Sequence, residues 1–196
     1  MKKTLLTLAL VASMFAVSKA QDYAYSYDRL YASFVIGKAG DVEASDHGLQ
    51  VGWASAVNIT HKAKPLYFQF GIEFNWMTDS EKVEYVTARE TILDLAVPLN
   101  LVIRAPLAND IFLEPMLGLN MRLNIVGQFS CGSLVDYFDS PYNARRFQPG
   151  MNAGMGMSVG TFYMGYRYNL DFTDYFDIEG VDSKTKRHFI TIGHTF

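Results

Sequence analysis

The chain has 196 residues, enough for one domain, with 20 acidic and 17 basic residues and one cysteine. The acidic balance argues against nucleic acid as a partner, because nucleic-acid-binding domains present basic patches. The single cysteine, Cys131, excludes an internal disulfide and a cysteine-rich zinc site. We expect neither a cofactor nor a metal.

Residues 1–20 are typical of a secretory signal peptide. A segment with two lysines precedes an apolar stretch, residues 4–17, that is shorter than a transmembrane helix. A small-residue cleavage site then separates Ala20 from Gln21. The alternative is an uncleaved membrane anchor. Cleavage would leave one domain, residues 21–196, with 14 basic and 20 acidic residues and a net charge of −6.

Eight segments alternate apolar and polar residues, as strands with one apolar face do. In chain order they cover residues 30–38, 48–59, 65–77, 91–103, 111–126, 147–159, 161–172 and 187–196. The third is the clearest, because every second residue from Leu66 to Trp76 is large and apolar. At about 3.3 Å per residue it is long enough to cross a bilayer, which takes about 9–11 tilted residues.

The connections between these segments alternate between short and long. The longer ones are residues 39–47, 78–90, 127–146 and 173–186. Outer-membrane barrels show this asymmetry, and strands in lipid must be paired on both sides. The sequence therefore predicts an all-β fold, an eight-stranded antiparallel up-and-down transmembrane β-barrel preceded by a cleaved signal peptide.

The residues at the polar positions of the predicted strands indicate that these positions face the barrel interior and that the apolar face points outward. They hold mainly glycine, asparagine, alanine and isolated charges, which suit the crowded interior of an eight-stranded barrel. A soluble barrel with its apolar face inside is the alternative.

Pro98, Pro115 and Pro149 lie within predicted strands, so we expect bulges or strand ends near them.

Three stretches resemble PorT-like outer-membrane β-barrel proteins. They are Leu93-Asp-Leu-Ala-Val-Pro-Leu-Asn-Leu101, Phe70-Gly-Ile-Glu-Phe-Asn75, and residues 147–173 with Gly154-Met-Gly156 and Gly165-Tyr-Arg-Tyr-Asn169. Phe196 is similar to the C-terminal aromatic signal that the outer-membrane assembly machinery reads. The resemblance implies an eight-stranded barrel in the outer membrane of a Gram-negative bacterium and no agreed activity.

Charged residues lie on the predicted inner face. They are Glu73, Asp94, Glu114, Arg122, Arg167, Asp171 and Arg187. Buried charges must be paired, and eight strands leave no open lumen. We therefore expect a polar network that plugs the barrel. A narrow channel is the alternative.

An outer-leaflet enzyme of the lipid A deacylase or acyltransferase type is the other alternative. Such chemistry needs a histidine with a serine or an acid near the outer rim. His47 and His188 are the candidate catalytic residues. Their neighbours in sequence include Ser45, Asp46, Asp182 and Ser183.

The long loops are acidic and aromatic, notably 136–139 and 171–177. They could hold calcium, bind a glycan or protein, or place rings at the lipid headgroups. The function predicted is a non-enzymatic outer-membrane protein acting in envelope structure or surface interaction through these loops. The expected partners are outer-membrane lipid including lipopolysaccharide, the assembly machinery and an unidentified surface ligand.

Overall fold

The computed structural model describes residues 25–39, 46–60, 64–83, 86–130, 134–136, 138–139, 144–176 and 182–196. The predicted signal peptide with its cleavage site between Ala20 and Gln21 lies outside these residues, as do Ser45 and Cys131. None of the described residues forms a helix long and apolar enough to span a membrane.

Ten strands form one antiparallel sheet that closes on itself. They are β1 (Ser26–Ala39), β2 (Asp46–Asn58), β3 (Leu66–Val83), β4 (Val86–Ile103), β5 (Ala105–Ala108), β6 (Ile111–Ser130), β7 (Leu134–Asp136), β8 (Phe147–Val159), β9 (Phe162–Asp174) and β10 (Lys184–Thr195). The long strands pair in chain order, and β1 pairs with β10 to close the barrel. Among the described strands, the short β5 and β7 pair with β6 and with no other. The remaining eight strands confirm the predicted eight-stranded barrel.

The apolar face of each long strand points outward. On β3, Phe74 and Trp76 are 43% and 47% exposed, whereas Glu73 and Asn75 between them are each 1% exposed. A soluble barrel would show the reverse arrangement. The outward apolar residues form a continuous belt, as lipid requires, and this confirms the predicted transmembrane β-barrel.

Inward glycines make room for two tyrosine rings. A Cβ atom added at Gly52 would lie 2.6 Å from the Tyr31 ring, and one at Gly165 would lie 2.5 Å from the Tyr163 hydroxyl. The two tyrosine rings therefore pack directly against the glycine backbone. This explains why small residues occupy the inner face of an eight-stranded barrel.

The strands extend further than predicted at one end. The prediction that residues 78–90 form a loop is wrong, because β3 and β4 remain paired up to Val83 and Val86. The β6 strand likewise continues to Ser130 and pairs there with β7. Residues 78–83 are mostly polar in sequence, so their strand lacks the apolar alternation on which the prediction rested.

None of the three prolines for which bulges or strand ends were predicted, Pro98, Pro115 and Pro149, lies at a register shift. Register shifts occur between Leu93 and Asp94, between Pro106 and Ala108, and between Lys184 and Lys186. At Pro98 the β3–β4 ladder omits two residue pairs and resumes in the same register. A missing N–H thus interrupts the ladder without displacing the strand. Pro149 lies near the start of β8, as expected.

Candidate functional site

The two ends of the barrel differ. The turn end carries the connections from β2 to β3, from β5 to β6 and from β8 to β9. The loop end carries the connections from β1 to β2, β3 to β4, β6 to β8 and β9 to β10. Three groups of charged side chains fill the interior between these ends.

The turn-end cluster surrounds Glu114, whose side chain is fully buried. The Arg29 guanidinium lies 2.7 Å from one carboxylate oxygen, and Arg104 lies 3.2 Å from the other. The Ser158 hydroxyl donates a hydrogen bond to the same carboxylate at 2.6 Å. The Arg29 guanidinium also lies 3.5 Å from the centre of the Tyr163 ring and forms a cation–π contact with it. Glu114 therefore lies next to two arginines, and one of these, Arg29, also contacts an aromatic ring.

The central cluster surrounds Glu73. Two nitrogens of Arg167 donate to its two carboxylate oxygens, one of them at 2.8 Å. Gln50 donates to the same carboxylate at 2.9 Å, and the Tyr31 hydroxyl donates to its other oxygen. A paired and multiply hydrogen-bonded carboxylate is the form in which a buried charge is tolerated.

The upper cluster lies nearer the loop end and contains two ion pairs. Arg187 donates to Asp94 at 2.6 Å, and Asn75 donates to the other oxygen of Asp94 at the same distance. Arg122 pairs with Asp171 and also donates to Gln148. Asp171 therefore belongs to the interior and not to the acidic loop in which the sequence also placed it.

The three clusters contain all seven charged residues proposed for the interior, together with Arg29 and Arg104. Arg29 is not among the interior residues predicted from the sequence, because the first predicted strand begins at Leu30. Extending the alternation back from Leu30 would have placed Tyr27 and Arg29 on the inner face. Arg104 follows the end of β4, where alternation gives no signal.

A small cavity separates two of the clusters. A cavity of about 20 Å³ lies between the turn-end and central clusters, next to Arg29, Tyr31, Met116 and Thr191. That volume holds about one water molecule. The paired side chains of the two clusters therefore leave room for little more than a water molecule at this point.

The two candidate catalytic histidines lie on the outer face at the loop end. Ile36 on β1 lies opposite His47 on one side and opposite His188 on the other. The Nδ1 atom of His188 lies 2.6 Å from the Tyr166 hydroxyl, and the His47 ring contacts Phe34. Within the described ranges, neither imidazole forms a hydrogen bond with a serine or a carboxylate, so no triad geometry is present.

The neighbours of these histidines in sequence have other partners. The Ser183 hydroxyl bonds to the backbone of Phe176, and Asp182 accepts a hydrogen bond from the Lys184 amide. Asp174 accepts a hydrogen bond from the Ser183 amide at 3.0 Å, and this bond holds the pKa of Asp174 below its ordinary value. These contacts shape the β9–β10 connection.

Aromatic residues of the long loops pack against one another above the barrel. Tyr175 and Ala144 are buried, and Phe129, Phe138 and Phe176 pack against them. Burial raises the pKa of the Tyr175 hydroxyl. These five residues thus form a small apolar core at the loop end. Among the described residues, no three His, Cys, Asp or Glu side chains are grouped to hold a metal ion.

Some strands of the barrel extend further than their neighbours at the loop end and remain paired there. The pairing of β2 with β3 stops at Thr78, whereas the pairing of β3 with β4 continues to Val83. The β4–β6 pairing reaches Ser130, and β7 adds a short fourth strand. We call this four-stranded extension of β3, β4, β6 and β7 the upper sheet.

Solved structures with the same fold are small bacterial surface barrels. One is Ail, the attachment invasion locus protein of Yersinia pestis, in complex with the heparin analogue sucrose octasulfate; it is 13% identical, with a TM-score of 0.51 over 88% of this chain and 100% of that one. Another is Neisserial surface protein A, 13% identical, with a TM-score of 0.52 over 88% of this chain and 98% of that one. No family model matches the sequence. No curated protein matches it either.

Proposed function

We propose that this chain is a non-enzymatic outer-membrane protein that acts in envelope structure or surface interaction through its loop end. One observation carries the proposal: an outward apolar belt encloses an interior filled by paired charges. A protein built in this way spans lipid but offers a solute no path. The loop end is then the part of the molecule available for specific contacts.

The upper sheet supports a role in surface interaction. The upper sheet continues beyond the apolar belt. Among the described strands, only β4 pairs with β3 beyond Thr78 and only β6 pairs with β7, so these two strands form its edges. Strand edges present unpaired N–H and C=O groups to which another extended chain can add. We infer that the upper sheet forms the main contact surface.

The charge of the loop end indicates the chemistry of the ligand. The predicted long connections, residues 39–47, 78–90, 127–146 and 173–186, contain 13 acidic and 6 basic residues. A sulfated sugar, the ligand in the Ail complex, would meet net repulsion here. We therefore expect the partner that contacts the loops themselves, beyond the barrel wall, to be cationic or neutral.

The proposal also includes the cellular route. Residues 1–20 would direct export, with cleavage between Ala20 and Gln21, and Phe196 would be read by the outer-membrane assembly machinery. Phe196 supports this by its exposure, 65%, and by backbone hydrogen bonds of 2.9 Å that tie it to Asp28. Deleting Phe196 should reduce insertion. Membership of the PorT-like family remains a prediction.

Cysteine labelling on intact cells tests the location and the orientation. In a Cys131→Ser background, Ser80→Cys places a thiol on the upper sheet and Asn109→Cys places one at the turn end; both positions are exposed. A membrane-impermeant maleimide should label Ser80→Cys on intact cells and Asn109→Cys only after permeabilisation. The reverse pattern would contradict the orientation, and labelling of neither thiol on intact cells would contradict surface exposure.

A further inference from the structure

Four basic side chains lie on the outer wall of the barrel, just beyond the apolar belt on the loop-end side. Lys38 on β1 lies directly opposite Lys186 on β10. The next outward pair toward the turn end joins Ile36 to His188, with His47 on the far side of Ile36. We call Lys38, Lys186, His47 and His188 the outer cationic patch.

The two lysines face outward with the residues of the belt. Side chains alternate along a strand, and Lys38 follows the exposed Phe34 by four positions, as Lys186 precedes the exposed Ile190 by four. Directly paired residues on antiparallel strands have Cα atoms about 4.5–5.5 Å apart. The two lysines are therefore neighbours on one surface.

Like charges in this position destabilise a sheet unless something neutralises them. Within the described part of the chain, no carboxylate forms an ion pair with Lys38 or Lys186. Asp46, opposite the inward Gly37, and Asp171, next to Leu170, are nearer in register but lie on the inner face of the barrel. Asp174 lies opposite Lys184 and already accepts the Ser183 amide. The pair thus lacks a counter-charge from the described protein.

The position of the patch along the barrel axis indicates which surroundings could supply a counter-charge to the two lysines. Phe34, Leu49 and Ile190, all strongly exposed, lie on the membrane side of it. Lipid headgroups begin where the apolar band of a barrel ends, and lysine side chains can extend along apolar surface to place the ammonium there. The contact of His188 with the Tyr166 hydroxyl, and with the Tyr168 ring at 5.0 Å, holds this imidazole at the same level.

We propose that the outer cationic patch binds the phosphorylated headgroup of lipid A, the glycolipid anchor of lipopolysaccharide. The proposal rests on the proposed outer-membrane location with the loop end outside. Lysines bind phosphate as point charges, and the patch extends over three strands, about 10 Å. That width suits a disaccharide carrying two phosphates better than a headgroup with one.

Binding of fluorescently labelled lipid A to the full mature chain in detergent micelles tests the proposal, with anisotropy as the readout. Each lysine replaced should weaken binding about 5-fold, and Lys38→Gln/Lys186→Gln together about 30-fold. Raising the salt from 0.1 to 1 M should weaken wild-type binding and affect the double variant less. Lys64→Gln, which removes an exposed lysine at the turn end, is the matched control.

Each outcome decides one point. Unchanged affinity in the double variant, or an equal loss in Lys64→Gln, would overturn the site. Displacement of lipid A by phosphatidylglycerol at equal concentration would overturn the choice of lipid. Circular dichroism checks folding, and the two single variants carry the test if the double variant does not fold. This assay is independent of cellular location, so it can succeed where the cysteine labelling fails, and the reverse.

Discussion

Glu73 and Arg167 lie 94 positions apart in the sequence and form a two-point ion pair inside the barrel. Glu73 is on β3 and Arg167 is on β9, which the strand order separates by β2, β1 and β10. The pair therefore joins two walls of the barrel across its interior. It is central to the hydrogen-bond network of the interior, because Tyr31 and Gln50 also donate to the same carboxylate.

Glu73→Gln should lower the free energy of unfolding by about 3–5 kcal/mol, because the Arg167 charge stays buried without its counter-charge. The double variant Glu73→Gln/Arg167→Met removes both charges and should lose less than the single variant. Urea unfolding in lipid vesicles, followed by tryptophan fluorescence, measures both. Asp139→Asn, an exposed loop position, is the control. A double variant less stable than the single one would contradict the assignment.

The sequence predicted the barrel because lipid imposes a pattern of period two. On β3 and β8 that pattern is uninterrupted, and the predicted bounds of β8, residues 147–159, coincide with the structure. The pattern ends where both faces of the sheet meet water. The sequence of the upper sheet beyond Thr78 therefore does not predict a strand.

The partners of the buried charges could not be predicted in the same way. Alternation places Asp94 and Arg187 on the inner face but does not say that they meet, since they are 93 positions apart. Their meeting depends on the stagger of the strands around the barrel, which sequence periodicity does not encode. Glu114 similarly pairs with Arg29 and Arg104, neither of which lay inside a predicted strand.

The apolar belt predicts that a charge on the outer face impairs insertion. Ile72 is 48% exposed in the middle of the β3 stripe, so Ile72→Arg should cost about 2–4 kcal/mol in a bilayer. Asn109→Arg adds the same charge at an exposed turn and should cost little. Folding yield into vesicles, read from the electrophoretic shift of the folded barrel, compares the two. Equal yields would contradict the lipid-facing assignment of β3.

Gly118 predicts an effect of backbone crowding. A Cβ atom there would overlap the carbonyl oxygen of Leu99 and lie 2.7 Å from the Asn100 Cα, and neither atom can rotate away. Gly118→Ala should therefore destabilise the barrel by about 1–3 kcal/mol in urea unfolding. Gly160→Asn is the comparison, because Gly160 has a φ of 58° with open space around it, and asparagine tolerates this conformation. Equal stability of Gly118→Ala and wild type would show that the strands move apart readily.

Asp174 predicts a pH dependence at the loop end. The Ser183 amide bond lowers the pKa of Asp174, so the folded state favours the ionised carboxylate more than the unfolded state does. Its contribution to stability is present above the unfolded pKa and is lost as the pH falls through the folded pKa. The Ser183 amide resonance should titrate with a midpoint below that of an ordinary aspartate, and Asp174→Asn should abolish the titration. A midpoint at the ordinary value would contradict the hydrogen bond.

The contacts of the outer-face histidines lead us to expect that the protein does not change the acyl chains of lipid A, as read from its mass spectrum. A hydrolase or acyltransferase needs an activated nucleophile beside its base, whereas His188 contacts Tyr166 and Tyr168, and His47 contacts Phe34. Lipid A from cells with and without the protein should therefore have the same acyl-chain composition, and His47→Ala/His188→Ala should change nothing. The gain or loss of one acyl chain that depends on either histidine would make the protein an enzyme. Binding of lipid A to the outer cationic patch would then position the substrate.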